Sequence, residues 1–125
     1  MTVDVTLKLI EKMGRNKYVD CYDCMKLMNR IEFFLIKAED SIRNNNIKAA
    51  RFFLNKLINA IDVSKGIDCT PEDIVNMAVD FARDATEKII DLANKGESTS
   101  WYFHKMQELI TKLKVATAIT ACKLG

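Results

Sequence analysis

Hydrophobic positions recur with a helical period along almost the whole chain. The longest such run is residues 18–44, where Cys21, Cys24, Met28, Ile31, Leu35, Ala38 and Ile42 follow alternating steps of three and four. That spacing lays one apolar seam along a helix of roughly seven turns, with Leu27 and Phe34 widening it on one side. Phe33 and Ile36 fall largely off the seam, so the stretch IEFFLI is apolar around most of its circumference. A helix of that kind is normally central, with neighbours on more than one side.

The other segments are organised about it. Residues 3–13 put Val3, Leu7, Ile10 and Met13 at helical spacing, with Gly14 as a closing residue; a helix this short is marginal alone and has to dock on something. Asn44, Asn45 and Asn46 tolerate left-handed backbone and can cap a following helix. A polar turn this short predicts an antiparallel hairpin between helix 18–44 and a helix over about 46–65. The latter carries Ile47, Ala50, Leu54, Leu57 and Ile61 on its stripe, with Phe53 and Ile58 beside them and Lys65-Gly66 at its close. Thr70-Pro71-Glu72-Asp73 reads as a helix start: threonine as the cap, proline in the first helical position, acids in the first turn. That helix runs to about residue 94 with Ile74, Ala78, Phe81, Ala85, Ile89 and Leu92 inward, and Gly96 ends it. Ser98, Thr99 and Ser100 offer caps for a last helix over about 101–123. The expected fold is all-α: one domain over residues 1–125, a bundle of about five helices.

Composition agrees with that class. The 125 residues suffice to bury a core without disulfides or metal. One proline and four glycines leave little room for the turns of a β-rich fold. The apolar fraction of 49% and charged fraction of 29% are those of an ordinary globular chain, and a net charge of +2 does not by itself point to nucleic acid. No run approaches the ~18 apolar residues that span a bilayer, and no stretch has the plan of a signal peptide. The expectation is a cytoplasmic protein with no membrane partner, whose cysteines are reduced thiols.

Candidate chemistry has to be weighed against that frame. Cys21-x-x-Cys24 sits within the helical seam, where a free cysteine packs as a small hydrophobe. A zinc site would need two further ligands from Cys69, Cys122 and His104, and a thioredoxin-type motif would need a preceding strand. Core packing is the favoured reading, with metal, disulfide and redox roles sharing the remainder. Asp80, Asp84, Glu87 and Asp91 share one helix face and could hold Mg²⁺ or Mn²⁺ in a metal-dependent hydrolase. Such a site wants a second acidic pair on a facing helix, and Glu32, Glu39 and Asp40 lack the spacing. Lys88 and Lys95, four residues after Asp84 and Asp91, favour a solvated face with surface ion pairs instead.

Basic residues gather at Lys8, Lys12, Arg15 and Lys17, and again at Lys48, Arg51 and Lys56. They could meet phosphates, although no reading motif accompanies them. Trp101-Tyr102-Phe103-His104 points four rings in four directions, so at least one ring is expected to stay accessible as an anchor for a partner. His104 has no legible nucleophile beside it. Ala116, Thr117, Ala118, Thr120 and Ala121 permit close helix approach. The reading with most support is a non-enzymatic helical interaction or structural protein without cofactor or metal. It would self-associate as a homo-oligomer, or bind another protein, through Phe33, Ile36, Phe52 and Trp101. The alternative is a nucleic-acid-binding factor using Lys8, Lys12, Arg15, Lys17, Lys48 and Arg51.

Overall fold

The three asparagines reverse the chain. Asn45 takes the left-handed conformation (φ 58°), and Asn46 caps the next helix, its Oδ1 accepting from the Ala49 N–H at 3.1 Å. This turn joins α1 (Lys17–Arg43) to α2 (Ile47–Gly66), and two more helices follow, α3 (Glu72–Asn94) and α4 (Ser100–Ala121). The structure, a computed structural model, describes residues 17–122; the helix expected over 3–13 lies outside them. Among the described residues there are therefore four helices, one fewer than the sequence pattern suggests, and no strand. α1 packs on α2 and α4, and α3 on α2 and α4, which closes an up-and-down ring with the α3–α4 seam the thinnest.

Each helix contributes one stripe to the axis of the ring. Met28, Ile31, Leu54, Leu57, Ile61, Ile89, Met106, Ile110 and Leu113 are fully buried there, each worth roughly 1.5–3 kcal/mol of apolar transfer. The α1 and α2 seams match the heptad-like spacing, with Ile42 and Ile47 half-buried near the turn. α3 is rotated from the expected phase. Its buried face runs through Val75, Ala78, Ala82, Ala85 and Ile89, while Ile74, Phe81 and Leu92 sit half-buried at the α4 flank. The alanines explain this, since small side chains let the neighbouring helices come closest along that line. α1 is not central either. In a ring of four every helix is a corner, so Phe33 and Ile36 on its outer side are 50% and 52% exposed.

Helix ends follow the sequence in part. Gly96 has the positive φ (71°) that stops α3. Gly66, expected to close α2, is still helical, and Asp68 supplies the left-handed residue (φ 59°). Thr70 is not a cap. Pro71 occupies the N-cap position of α3 without a side-chain bond. The Thr70 hydroxyl instead shares a 2.7 Å hydrogen bond with the Thr117 hydroxyl of α4, both groups buried. The small residues near the end of α4 allow that approach. Glu72 and Asp73 fill the first turn as expected. Ser98 accepts from the Ser100 N–H at 3.3 Å, and Thr99 holds the N-cap position of α4 without a side-chain bond.

The cysteines correct the sequence reading most. All four are paired: Cys21 with Cys122 and Cys24 with Cys69, at Cα–Cα distances of 4.7 and 5.4 Å. Helical spacing does bury Cys24 in the seam, as expected, but the antiparallel ring brings the loop before α3 and the end of α4 to the same end of the bundle. Each seam cysteine therefore meets a partner distant in sequence.

Candidate interaction surface

Among the described residues four aromatic rings remain well exposed: Tyr22, Phe33, Phe52 and Trp101. Each has a lysine four residues later on the same helix face, its amine 4.9 to 5.5 Å from the ring centre: Lys26, Lys37, Lys56 and Lys105. Phe34, Phe53, Phe81, Tyr102 and Phe103, which turn toward the core, have Ala38, Leu57, Ala85, Met106 and Gln107 at that offset. The aromatic–x₃–Lys spacing thus marks the outward rings. A lysine stem lies along the ring while its ammonium stays wet, which tempers the exposure without removing it.

Two of these pairs stand on the α1–α2 hairpin, one on each helix. Phe33 lies twelve residues before Asn45 and Lys56 eleven after it, so a rise of about 1.5 Å per residue sets them level. The same arithmetic sets Lys37 level with Phe52. Beside Phe33 opens a hollow of about 520 Å³ between α1 and the end of α2, with Leu27 and Ile67 among its walls and Lys26, Arg30 and Asp23 at its mouth. Trp101 stands apart, on α4, which does not pack on α2; its ring meets Tyr102 edge-on at 4.9 Å. The four expected interface residues are therefore all exposed, and the structure divides them: Phe33, Ile36 and Phe52 on the hairpin, Trp101 elsewhere.

The remaining sequence candidates are not brought together. Arg51 is held by Glu87 at 3.2 Å across α2 and α3, while Lys48 is exposed at the start of α2. Lys8, Lys12 and Arg15 lie outside the described residues, as does the side chain of Lys17. On α3, Asp80, Asp84, Glu87 and Asp91 are solvent-facing. Asp91 pairs with Lys95 at 3.1 Å and raises that lysine's pKa; Asp84 makes no ion pair with Lys88. No group of three His, Cys, Asp or Glu converges as metal donors among the described residues. His104 lies 3.6 Å from Glu108, whose carboxyl is lowered mainly by its hydrogen bond to Lys105.

Two features escaped the sequence reading, one polar and one apolar. Glu32, half-buried on α1, accepts from Lys114 Nζ at 2.7 Å and from Gln107 Nε2 at 3.0 Å, both on α4. These two donors hold its carboxyl below the ordinary value, Lys114 most strongly. Met77 is 72% exposed on α3, at the rim of an apolar groove of about 330 Å³ along the α3–α4 seam. Its place in the 73–77–80–84 series of four and three, among aspartates, hides it from a search for apolar stripes. Comparison with family models, curated proteins and solved structures finds no match for this chain.

Proposed function

We propose that this protein is a non-enzymatic, disulfide-stapled helical module that self-associates through the outer face of its α1–α2 hairpin, centred on Phe33. The observation that carries the reading is the company Phe33 keeps. A half-exposed ring stands at an open hollow on α1, and Ile36 and Phe52 add exposed apolar surface on the same hairpin. Exposed apolar surface beside an open hollow is what interfaces use. Trp101 is left for a separate contact. The nucleic-acid alternative has less support, because Arg51 is already engaged by Glu87.

Two disulfides in a chain of this size also favour an oxidising compartment over the cytoplasm, since such bonds form and persist there. The test of self-association is solution mass across a wide range of concentration, with Phe33→Glu combined with Ile36→Lys as the control. The wild type gains mass with concentration; the variant stays monomeric with its helical circular dichroism intact, because both positions face solvent. A wild type that remains monomeric at the highest concentration removes the proposal.

A further inference from the structure

Building on the self-association reading, the charges around Phe33 narrow the geometry of the contact. A two-fold pairing of the hairpin face with itself would set the cluster of Lys26, Arg30, Lys37 and Lys56 against the same cluster of the second copy, and like charges at close range oppose such a contact. The face calls for an acidic complement with an apolar point at its centre. This chain carries one. On the outer side of α3, Asp73, Met77, Asp80 and Asp84 follow steps of four, three and four, so the most exposed apolar side chain of the described residues is flanked by carboxylates. None of those three aspartates has an ion-pair partner among the described residues, whereas Glu87 and Asp91, further along the helix, do.

We propose that the hollow beside Phe33 receives Met77 of a second copy, with that copy's Asp73 and Asp80 set against Lys26 and Arg30, so that the chain associates head to tail. An unbranched thioether suits an irregular hollow and an aromatic wall, and Leu27 and Ile67 supply apolar sides. Asp23, at the same mouth, is the one carboxylate that opposes the contact. α3 lies diagonally across the ring from α1. One copy can therefore offer both faces at once, and a heterologous contact of this kind continues into an open series instead of closing as a dimer.

The test uses two surface variants of the full chain. Lys26→Glu with Arg30→Glu spoils the hairpin face and leaves α3 intact. Met77→Ala with Asp73→Asn and Asp80→Asn spoils the α3 face and leaves the hairpin intact. Each alone is expected to be a folded monomer at concentrations where the wild type forms a series of sizes. Mixed in equal amounts, they form a dimer of one copy each and nothing larger, because only one good face of each kind remains. Added salt weakens the wild-type association by about tenfold between dilute and molar buffer, as exposed charge pairs require. If the α3 variant keeps the wild-type mass distribution while the hairpin variant is monomeric, the hairpin pairs with itself. The head-to-tail geometry then falls and self-association stands. A monomeric wild type sinks both.

Discussion

Cys24 and Cys69, 45 residues apart, are joined by a disulfide whose two side chains are both buried, whereas the Cys21–Cys122 bond ends in half-buried sulfurs near the termini of α1 and α4. Thiol exchange needs access to a sulfur, so a limiting reductant should open Cys21–Cys122 first. Alkylation of the released thiols, mapped by mass, reads the order; release of Cys24 and Cys69 ahead of or together with the other pair contradicts the burial argument. Replacing Cys24 and Cys69 together by alanine should lower stability by about 4 kcal/mol, from the loop-closure entropy restored to the unfolded chain.

Thr70 and Thr117 give a sharper energetic test. Their hydroxyls satisfy each other in a buried setting. Thr70→Val alone leaves the Thr117 hydroxyl without this partner and should cost about 1–3 kcal/mol. The double variant with Thr117→Val should recover most of that loss, since both polar groups leave together. Denaturant unfolding of the four proteins closes the cycle, and additive losses would mean the pair is not coupled.

Glu32 should make the bundle acid-sensitive. Lys114 and Gln107 hold its carboxyl below the ordinary value of 4.5, so the folded chain keeps the charge to lower pH than the unfolded chain does. The stabilisation is complete above the unfolded value and is lost as pH falls through the folded one. Glu32→Gln should therefore cost about 1 kcal/mol at neutral pH and little in strong acid. Urea unfolding at the two pH values measures the difference, and an equal loss at both would assign the effect to packing.

The two described glycines should respond to alanine with opposite signs. Neither has an atom within 4 Å of the position a Cβ would take, so space does not decide the outcome. Gly96 has φ of 71°, and alanine there should destabilise by about 1 kcal/mol. Gly66 ends α2 with helical backbone, and alanine there should stabilise by about 0.5–1 kcal/mol. Thermal midpoints that move in the same direction would refute the assignment of backbone conformation.

Spacing made the helices, the hairpin turn and most of the α1 and α2 core legible, because burial in a bundle follows the helical period. It misplaced the inward face of α3, where alanines carry little hydrophobic signal yet set the closest approach. The cysteines show the limit more plainly. Cys21 and Cys24 look like seam residues from their own helix; their partners come from a loop and a helix end whose positions depend on the ring closing. The same holds for Thr70, whose local context reads as a cap while its partner is 47 residues away. For the candidate surface, Phe33, Ile36, Phe52 and Trp101 were recognisable by falling off the seams, and the lysine four residues after each outward ring was present in the sequence to be read. Met77 was concealed by its acidic neighbours.

Both disulfides join elements at the end of the bundle where α1 begins and α4 finishes. The opposite end, with the turns at 44–46 and 95–99, is held by packing, capping and surface ion pairs, with no disulfide. Opening fluctuations short of full unfolding should therefore start there and travel toward the stapled end, as in tongs fixed at the pivot. Trp101, in the first turn of α4, sits at the free end, and its emission is placed to report that breathing while the cystine end stays shut. Reduction of both bonds would remove the polarity, leaving the two ends free to open alike.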